Sequence, residues 1–117
     1  MLDAHAHLSD EYELLNLEKV NEIITNASKN DIKYIISNST CLRTIDETIQ
    51  ISEKYSNVFL GLGIFPTEFK KEEDLNKIKI LNEKLKSIDI KKCLIGEIGL
   101  DFKENCNKEL QIKANKH

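Results

Sequence analysis

The sequence has few cysteines, and none of them are close together. Cys41, Cys93 and Cys106 are its only three, and they form no CxxC pair, which argues against a zinc ribbon. An odd number of widely spaced cysteines also argues against a disulfide framework and favours a reducing compartment. We expect each thiol to behave as a small, partly buried apolar group.

Long apolar segments are missing as well. The longest apolar runs are far shorter than the roughly 20 residues that a membrane-spanning helix needs. The N-terminus lacks the basic region followed by an apolar run that is typical of a signal peptide. These absences predict a cytoplasmic protein without a membrane partner.

Positive charge is not in excess. Lys and Arg number 17 against 20 Asp and Glu, and the formal net charge is −3. A broad basic surface for nucleic acid is therefore not expected. A site that handles phosphates would need another source of positive charge, and a metal ion could supply it.

Several catalytic and nucleotide-binding motifs are absent. The chain has no Walker-type phosphate loop and no GxSxG nucleophile elbow, and Gly61 and Gly63 are too few and wrongly spaced for a dinucleotide fingerprint. We interpret Ser37, Ser39 and Thr40 as the end of a strand and the start of a loop. These absences leave acidic and imidazole side chains as the main candidates for chemistry.

What is present indicates one globular domain over residues 1–117. Hydrophobic residues make up 40% and charged residues 32% of the chain, the balance of a folded domain with a real core. Apolar, strand-like runs alternate with amphipathic helical patterns. The predicted strands are 2–8, 32–39, 57–66 and 92–102. The predicted helices are 17–27, one opened at Thr44 by a capping box with Glu47, 74–87, and a helix-permissive tail.

This order predicts parallel strands joined by right-handed helical crossovers. An open doubly wound sheet and a (β/α) barrel both fit it.

The stretch LDAHAHL gives the first candidate site. In an extended strand, Asp3, His5 and His7 would share one face, opposite Leu2, Ala4, Ala6 and Leu8. Two imidazoles at alternate positions can coordinate one cation, and neutral imidazole is a suitable ligand for zinc and similar metals. Asp3 could orient a ligand from behind. The alternative is two strand histidines hydrogen-bonded to their neighbours.

The stretch IGEIGLDF gives the second. Glu97 lies inside a predicted apolar strand, where an isolated carboxylate is costly. It is either salt-bridged to a lysine or acts as a metal ligand or general base. Under strict alternation Asp101 would lie on the same side as Glu97, near the carboxyl end of the strand, where barrels collect their chemistry.

Together these stretches resemble the TatD-type metal-dependent deoxyribonucleases, within the amidohydrolase-like barrels. The similarity lies in DxHxH at Asp3–His7, GIFP at Gly63–Pro66 and GEIGLDF at Gly96–Phe102, with Gln111 near a glutamine of the family pattern. The resemblance implies a TIM-type (β/α)8 barrel, two divalent metal ions (Mg, Mn or Zn) and hydrolysis of DNA phosphodiesters.

By the same resemblance, His5 and His7 would bind one ion and Glu97, the catalytic residue, would bridge or bind both. Asp3 and Asp101 would lie behind the ligands or face the substrate.

Two departures from the family pattern matter. Phe65 stands where the family usually has histidine, and a phenyl ring can neither ligate nor hydrogen-bond. A full barrel needs about 250 residues, so this chain would form about four βα units, the N-terminal half. The family's remaining ligands, two histidines and an aspartate, lie in the other half; His117, the only other histidine, is terminal.

Three hypotheses follow. The chain is a metal-dependent nuclease of the TatD type, or it is a catalytically inactive half barrel that self-associates or pairs with a missing C-terminal half. The third is a different histidine-rich phosphoesterase barrel, which shares an early HxH but does not account for GEIGLDF.

Overall fold

The computed structural model describes residues 1–10, 12–103 and 106–116; His117 lies outside them. Four strands alternate with four α-helices: β1 (Leu2–Ala6), α1 (Leu17–Lys29), β2 (Tyr34–Asn38), α2 (Leu42–Lys54), β3 (Val58–Leu62), α3 (Asn76–Leu85), β4 (Cys93–Ile95) and α4 (Lys108–Ala114). Short 3-10 helices cover Pro66–Glu68, Glu72–Leu75 and Ile90–Lys92. No helix among the described residues is long and apolar enough to cross a membrane.

The strands form one parallel sheet in the order β1-β2-β3-β4. A doubly wound sheet reverses its strand order at a switch point, whereas a barrel wall adds each strand beside the previous one. The sequential order therefore decides between the two architectures that the sequence pattern allows, in favour of the barrel.

The core lies between the sheet and its helices, in two clusters. One contains Ile45 of α2 with Leu60 and Leu62 of β3, and the other contains Ile24 of α1 with Ile35 of β2. Each fully buried aliphatic side chain stabilises the fold by about 1.5–3 kcal/mol. These contacts fix the helices on one face of the sheet.

The opposite face of the sheet is largely uncovered. Leu2, Tyr34 and Leu94 are each about half exposed, and they line a cavity together with Ile36 and Phe59. Within the described ranges, β1 pairs only with β2 and β4 only with β3. Such an apolar face and two open edges are what one half of a barrel leaves exposed.

The predicted alternation along the first strand is wrong at its start. Asp3 aligns with Ile35 but Ala6 aligns with Ser37, so three steps of β1 match two steps of β2, as in a β-bulge. Aligned residues of neighbouring strands share a face, which places Asp3 and Ala6 together. Ala6 packs against the second core cluster, whereas Leu2 stays exposed.

Predicted boundaries also need correction, since β1 ends at Ala6 and not at residue 8, and β3 ends at Leu62 and not at residue 66. Thr44 is not the N-cap of α2. Cys41 is the N-cap, and Thr44 is the third helical residue, whose hydroxyl accepts hydrogen bonds from the N–H groups of Thr40 and Cys41. The fourth strand ends at Ile95 instead of continuing to residue 102. Glu97 therefore lies beyond β4, outside any strand.

A buried carboxylate fixes the entry to α3. Asp74 is 9% exposed, and its Oδ2 accepts the N–H groups of Lys70 and Lys71, each at 2.9 Å. Lys77 Nζ lies 3.3 Å from Oδ1. Burial alone would raise the pKa of Asp74, but the two N–H bonds and the Lys77 ammonium outweigh it and hold the pKa below 3.8.

We expect Asp74→Asn to lower the free energy of unfolding by about 1 kcal/mol at neutral pH, because the charged cap and the Lys77 pair are lost. A depressed native pKa stabilises the fold above the unfolded pKa, and this contribution disappears as pH falls through the native pKa. In urea unfolding, the gap between wild type and variant should therefore narrow below about pH 4. Glu83→Gln, on the surface of α3, should stay within about 0.5 kcal/mol; an Asp74 gap independent of pH would contradict this account.

Candidate metal centre

Three side chains meet at the carboxyl end of the sheet. His5 lies in β1, His7 follows it directly, and Glu97 comes two residues after β4. In a flat sheet, β1 and β4 would be three strand spacings apart, about 14 Å. The sheet must therefore curve as a barrel wall does for these groups to approach one another.

The distances suit one cation. His5 Nε2 lies 3.2 Å from His7 Nε2 and 3.3 Å from Glu97 Oε1, and ligand atoms of all three residues lie within 4.8 Å of one another. Ligand bonds of about 2.0–2.2 Å imply adjacent donor atoms roughly 3.0–3.5 Å apart. The two imidazole rings are nearly perpendicular, with an interplanar angle of 82°, so their nitrogens converge without stacking.

Strand β2 sets the orientation of one imidazole. His7 Nδ1 lies 2.8 Å from the carbonyl oxygen of Asn38, the last residue of β2. A carbonyl only accepts, so Nδ1 carries the proton and donates it. The neutral ring then presents the Nε2 lone pair to the other two ligands, the usual support for a metal-binding histidine. The sequence identified the histidine but not this partner, because the bond uses the Asn38 backbone.

Two glycines allow Glu97 to reach the histidines. A Cβ on Gly63 would lie 2.2 Å from the Glu97 carbonyl oxygen, and one on Gly96 would lie 2.5 Å from the Gly61 carbonyl oxygen. The Gly96 N–H donates to Leu62 O at 2.9 Å, which continues the β3–β4 alignment past the end of β4. The Glu97 side chain is 19% exposed, and its recorded ion-pair partner among the described residues is His5, not a lysine.

The two predicted supporting carboxylates lie elsewhere. Asp3 Oδ1 accepts the backbone N–H of His5 at 3.1 Å, so it holds the main chain instead of the imidazole. Asp101 Oδ2 pairs with Lys103 Nζ at 3.2 Å. The alternation that aligned Asp101 with Glu97 is wrong, because the chain leaves the strand at Ile95. Roles for Asp3 and Asp101 toward a second ion or a substrate stay predictions.

A buried glutamine holds the segment after Glu97. Gln111 is fully buried in α4; its Oε1 accepts the Asp101 N–H and its Nε2 donates to the Asp101 carbonyl, both at 2.8 Å. Asn115 Nδ2 donates to the Gly99 carbonyl at 2.6 Å. The sequence showed Gln111 only as part of a family pattern, and no periodicity could have revealed that it bonds to backbone.

Ser39, the residue after β2, holds the backbone of Gly63, the residue after β3. Its buried hydroxyl accepts the Gly63 N–H at 3.1 Å and donates to the Gly63 carbonyl at 3.0 Å. The predicted role of Ser37, Ser39 and Thr40, the end of a strand and the start of a loop, matches their position. Ser39 also locks Gly63 at the position where it contacts Glu97.

A cavity of about 280 Å³ opens beside the three ligands. It is lined by His7, Ser9, Asp10, Tyr12, Thr40, Phe65 and Glu97.

The model of the TatD related DNase family matches residues 2–116. The chain belongs to this TatD family. The family prediction made from three motifs is thus confirmed.

The curated relatives that match are longer than this chain. An uncharacterized metal-dependent hydrolase of Buchnera aphidicola subsp. Acyrthosiphon pisum is 30% identical over 105 residues, which are 87% of this chain and 40% of that protein. A second, from Buchnera aphidicola subsp. Baizongia pistaciae, is 31% identical over 116 residues, 95% of this chain and 41% of that protein. The chain spans about two fifths of the length of the curated relatives it matches.

Solved structures give the same proportion. The TatD family hydrolase of Entamoeba histolytica superposes with a TM-score of 0.72 at 29% identity, over 98% of this chain and 43% of that one. The TatD homolog YJJV of Escherichia coli matches with the same TM-score and coverage at 21% identity, which shows the fold alone. The predicted α/β half barrel of the TIM type is confirmed.

Because the Glu97 backbone lies against Gly63, we expect Gly63→Ala to lower the free energy of unfolding by about 1–3 kcal/mol, the usual cost of overpacking. Urea unfolding followed by circular dichroism measures this. Ser56→Ala, in an exposed turn, is the matched control and should change stability by less than about 0.5 kcal/mol. Equal stability of the two variants would mean that β3 moves away from Glu97 at no cost.

Proposed function

We propose that this chain carries the first part of the metal centre of a TatD-type hydrolase that cleaves DNA phosphodiester bonds. The observation that carries the proposal is the convergence of His5, His7 and Glu97 within 4.8 Å at one mouth of the barrel wall. Two imidazoles and a carboxylate are a donor set that fits Zn²⁺ or Mn²⁺ better than Mg²⁺, which favours an all-oxygen shell.

His5 and His7 would hold one divalent ion, and Glu97 would bind it and bridge to a second. Ions bound there would supply an activated water and offset the negative charge on the phosphate in the transition state. The chain's own contribution is orientation. Asn38 fixes the protonated nitrogen of His7, and Gly63 lets Glu97 approach.

Electrostatics also supports a cation at this site. The cavity lining includes the carboxyl groups of Asp10 and Glu97, and the chain has a net charge of −3. Without bound cations this mouth would repel a polyanion. Bound divalent ions would reverse the local field where the phosphate has to sit.

A second candidate is a catalytically inactive half barrel that binds a partner polypeptide. It is favoured by the uncovered face around Leu2, Tyr34 and Leu94. The partner would be a chain carrying the other four βα units, or a second copy of this one. We also propose a cytoplasmic location, on the evidence of three cysteines that are all unpaired.

Calorimetric titration with Mn²⁺ tests the metal site. We expect Glu97→Gln and His7→Ala each to weaken binding by at least about 10-fold, because even residues behind the ligands are worth about 10–100-fold. Glu22→Gln, at an exposed position of α1, is the control and should bind as wild type does. Unchanged affinity in Glu97→Gln would remove that carboxylate from the site.

Nuclease assays separate the two candidate functions. If the chain by itself is the nuclease, the purified chain with Mn²⁺ releases nucleotides from DNA, and this release is lost in EDTA and in His5→Ala purified in the same way, since His5 lies 3.2–3.3 Å from the other two candidate ligands. Metal binding without any release would instead support the inactive half barrel.

A further inference from the structure

The cavity beside His7 and Glu97 is also lined by residues for which metal binding gives no reason. Two of its lining residues, His7 and Glu97, belong to the cluster, but Phe65 and Tyr12 supply aromatic surface. A volume of about 280 Å³ is near the lower end for small-molecule pockets, about 300–1,000 Å³. The cavity therefore has room for one ring system and not for a nucleic-acid duplex.

Phe65 is held in place by its backbone. Its N–H donates to the Thr40 carbonyl at 2.7 Å, and Pro66 begins the short 3-10 helix directly after it. The ring is partly exposed where it lines the cavity. Its side chain offers a π face and no proton, and a fixed aromatic surface is what a planar ligand needs for stacking.

The carboxyl groups of the cavity disfavour the binding of an anion. Asp10 and Glu97 contribute carboxyl groups, and no lysine or arginine lines the cavity among the residues that the structure describes. Asp10 Oδ1 already accepts the Tyr12 N–H at 2.7 Å, but a carboxylate can accept several hydrogen bonds. Thr40 also lines the cavity, and its hydroxyl oxygen is buried with no hydrogen-bond partner among the described residues. An uncharged planar ring that carries N–H donors matches this set.

The geometry points to a nucleobase site: this cavity binds one unpaired base, stacked on Phe65 with its N–H groups toward Asp10, while the adjoining phosphate faces the metal ligands. The identification of the ring as a nucleobase rests on the proposed function. Stacking on an aromatic side chain tolerates any base, so the site would select unpaired strands without selecting sequence.

Ligand-observed saturation-transfer NMR with deoxyadenosine, in the absence of metal, tests this inference. We expect signals from the base protons of deoxyadenosine and none from free deoxyribose. Phe65→Ala should weaken binding roughly 5- to 100-fold, the range for one base–aromatic stack, and Phe65→Tyr should restore it. Phe102→Ala, at a phenylalanine outside the cavity lining, is the matched control and should bind as wild type does.

If Phe65→Ala fails to fold, a variant at the exposed residue Asp10 provides a second test. Asp10→Asn retains an oxygen for the Tyr12 N–H but loses the charge, and we expect roughly 10-fold weaker binding of deoxyadenosine, as for a hydrogen bond to a charged group. Equal binding in Asp10→Asn, or in folded Phe65→Ala, overturns the inference. So does binding of deoxyadenosine 5′-phosphate without binding of deoxyadenosine.

The two proposals fail separately. Loss of nucleoside binding with Mn²⁺ affinity intact would remove the base site and leave the metal centre. Nucleoside binding with no Mn²⁺ affinity would keep the base site and remove the proposed hydrolase.

Discussion

The close approach of the Glu97 backbone to Gly63 is the contact on which the convergence of Glu97 with the two histidines depends. β4 ends at Ile95, so no strand pairing holds Glu97, and its carboxylate still has to reach histidines that begin three strands away. Gly63 removes the side chain that would block this approach, and Ser39 fixes the peptide groups of Gly63. Packing, and not electrostatic attraction alone, thus brings an acid to within 3.3 Å of His5.

Two of the three candidate ligands are supported from different strands. His7 depends on the last carbonyl of β2, and Glu97 depends on the end of β3. The side chain of Gln111 in α4 hydrogen-bonds to the backbone of Asp101, four residues after Glu97. The groups held are mostly backbone, but the residues that hold them are specific, because Gly63 must lack a Cβ and Gln111 acts through its side-chain amide. A site built in this way is fixed by the fold before any ion binds.

Periodicity predicted the element order and the parallel direction, and spacing predicted the His5 and His7 pair. The convergence of Glu97 with that pair was predicted only from the resemblance to a known family. The sequence did not predict where side chains stop alternating between the two faces of a strand. The irregular register after Asp3 places that residue with Ala6, and the departure from the sheet after Ile95 removes Asp101 from alignment with Glu97. Both features arise from pairing with neighbouring strands, which no single run of residues encodes. The Thr44 capping box was wrong for a similar reason, since its hydroxyl bonds to the chain entering α2.

Exposure of the site limits what the described half of the wall can do by itself. The side chain of His5 is 61% exposed, so water screens the charges around it and the effective dielectric is high. Interactions that offset charge on a phosphate are much stronger when water is excluded. The uncovered face that contains Leu2, Tyr34 and Leu94 lies on the side where the rest of a barrel would stand. Covering that face would bury apolar surface and would also exclude water from the candidate metal ligands. Assembly would therefore strengthen the electrostatic interactions at this site.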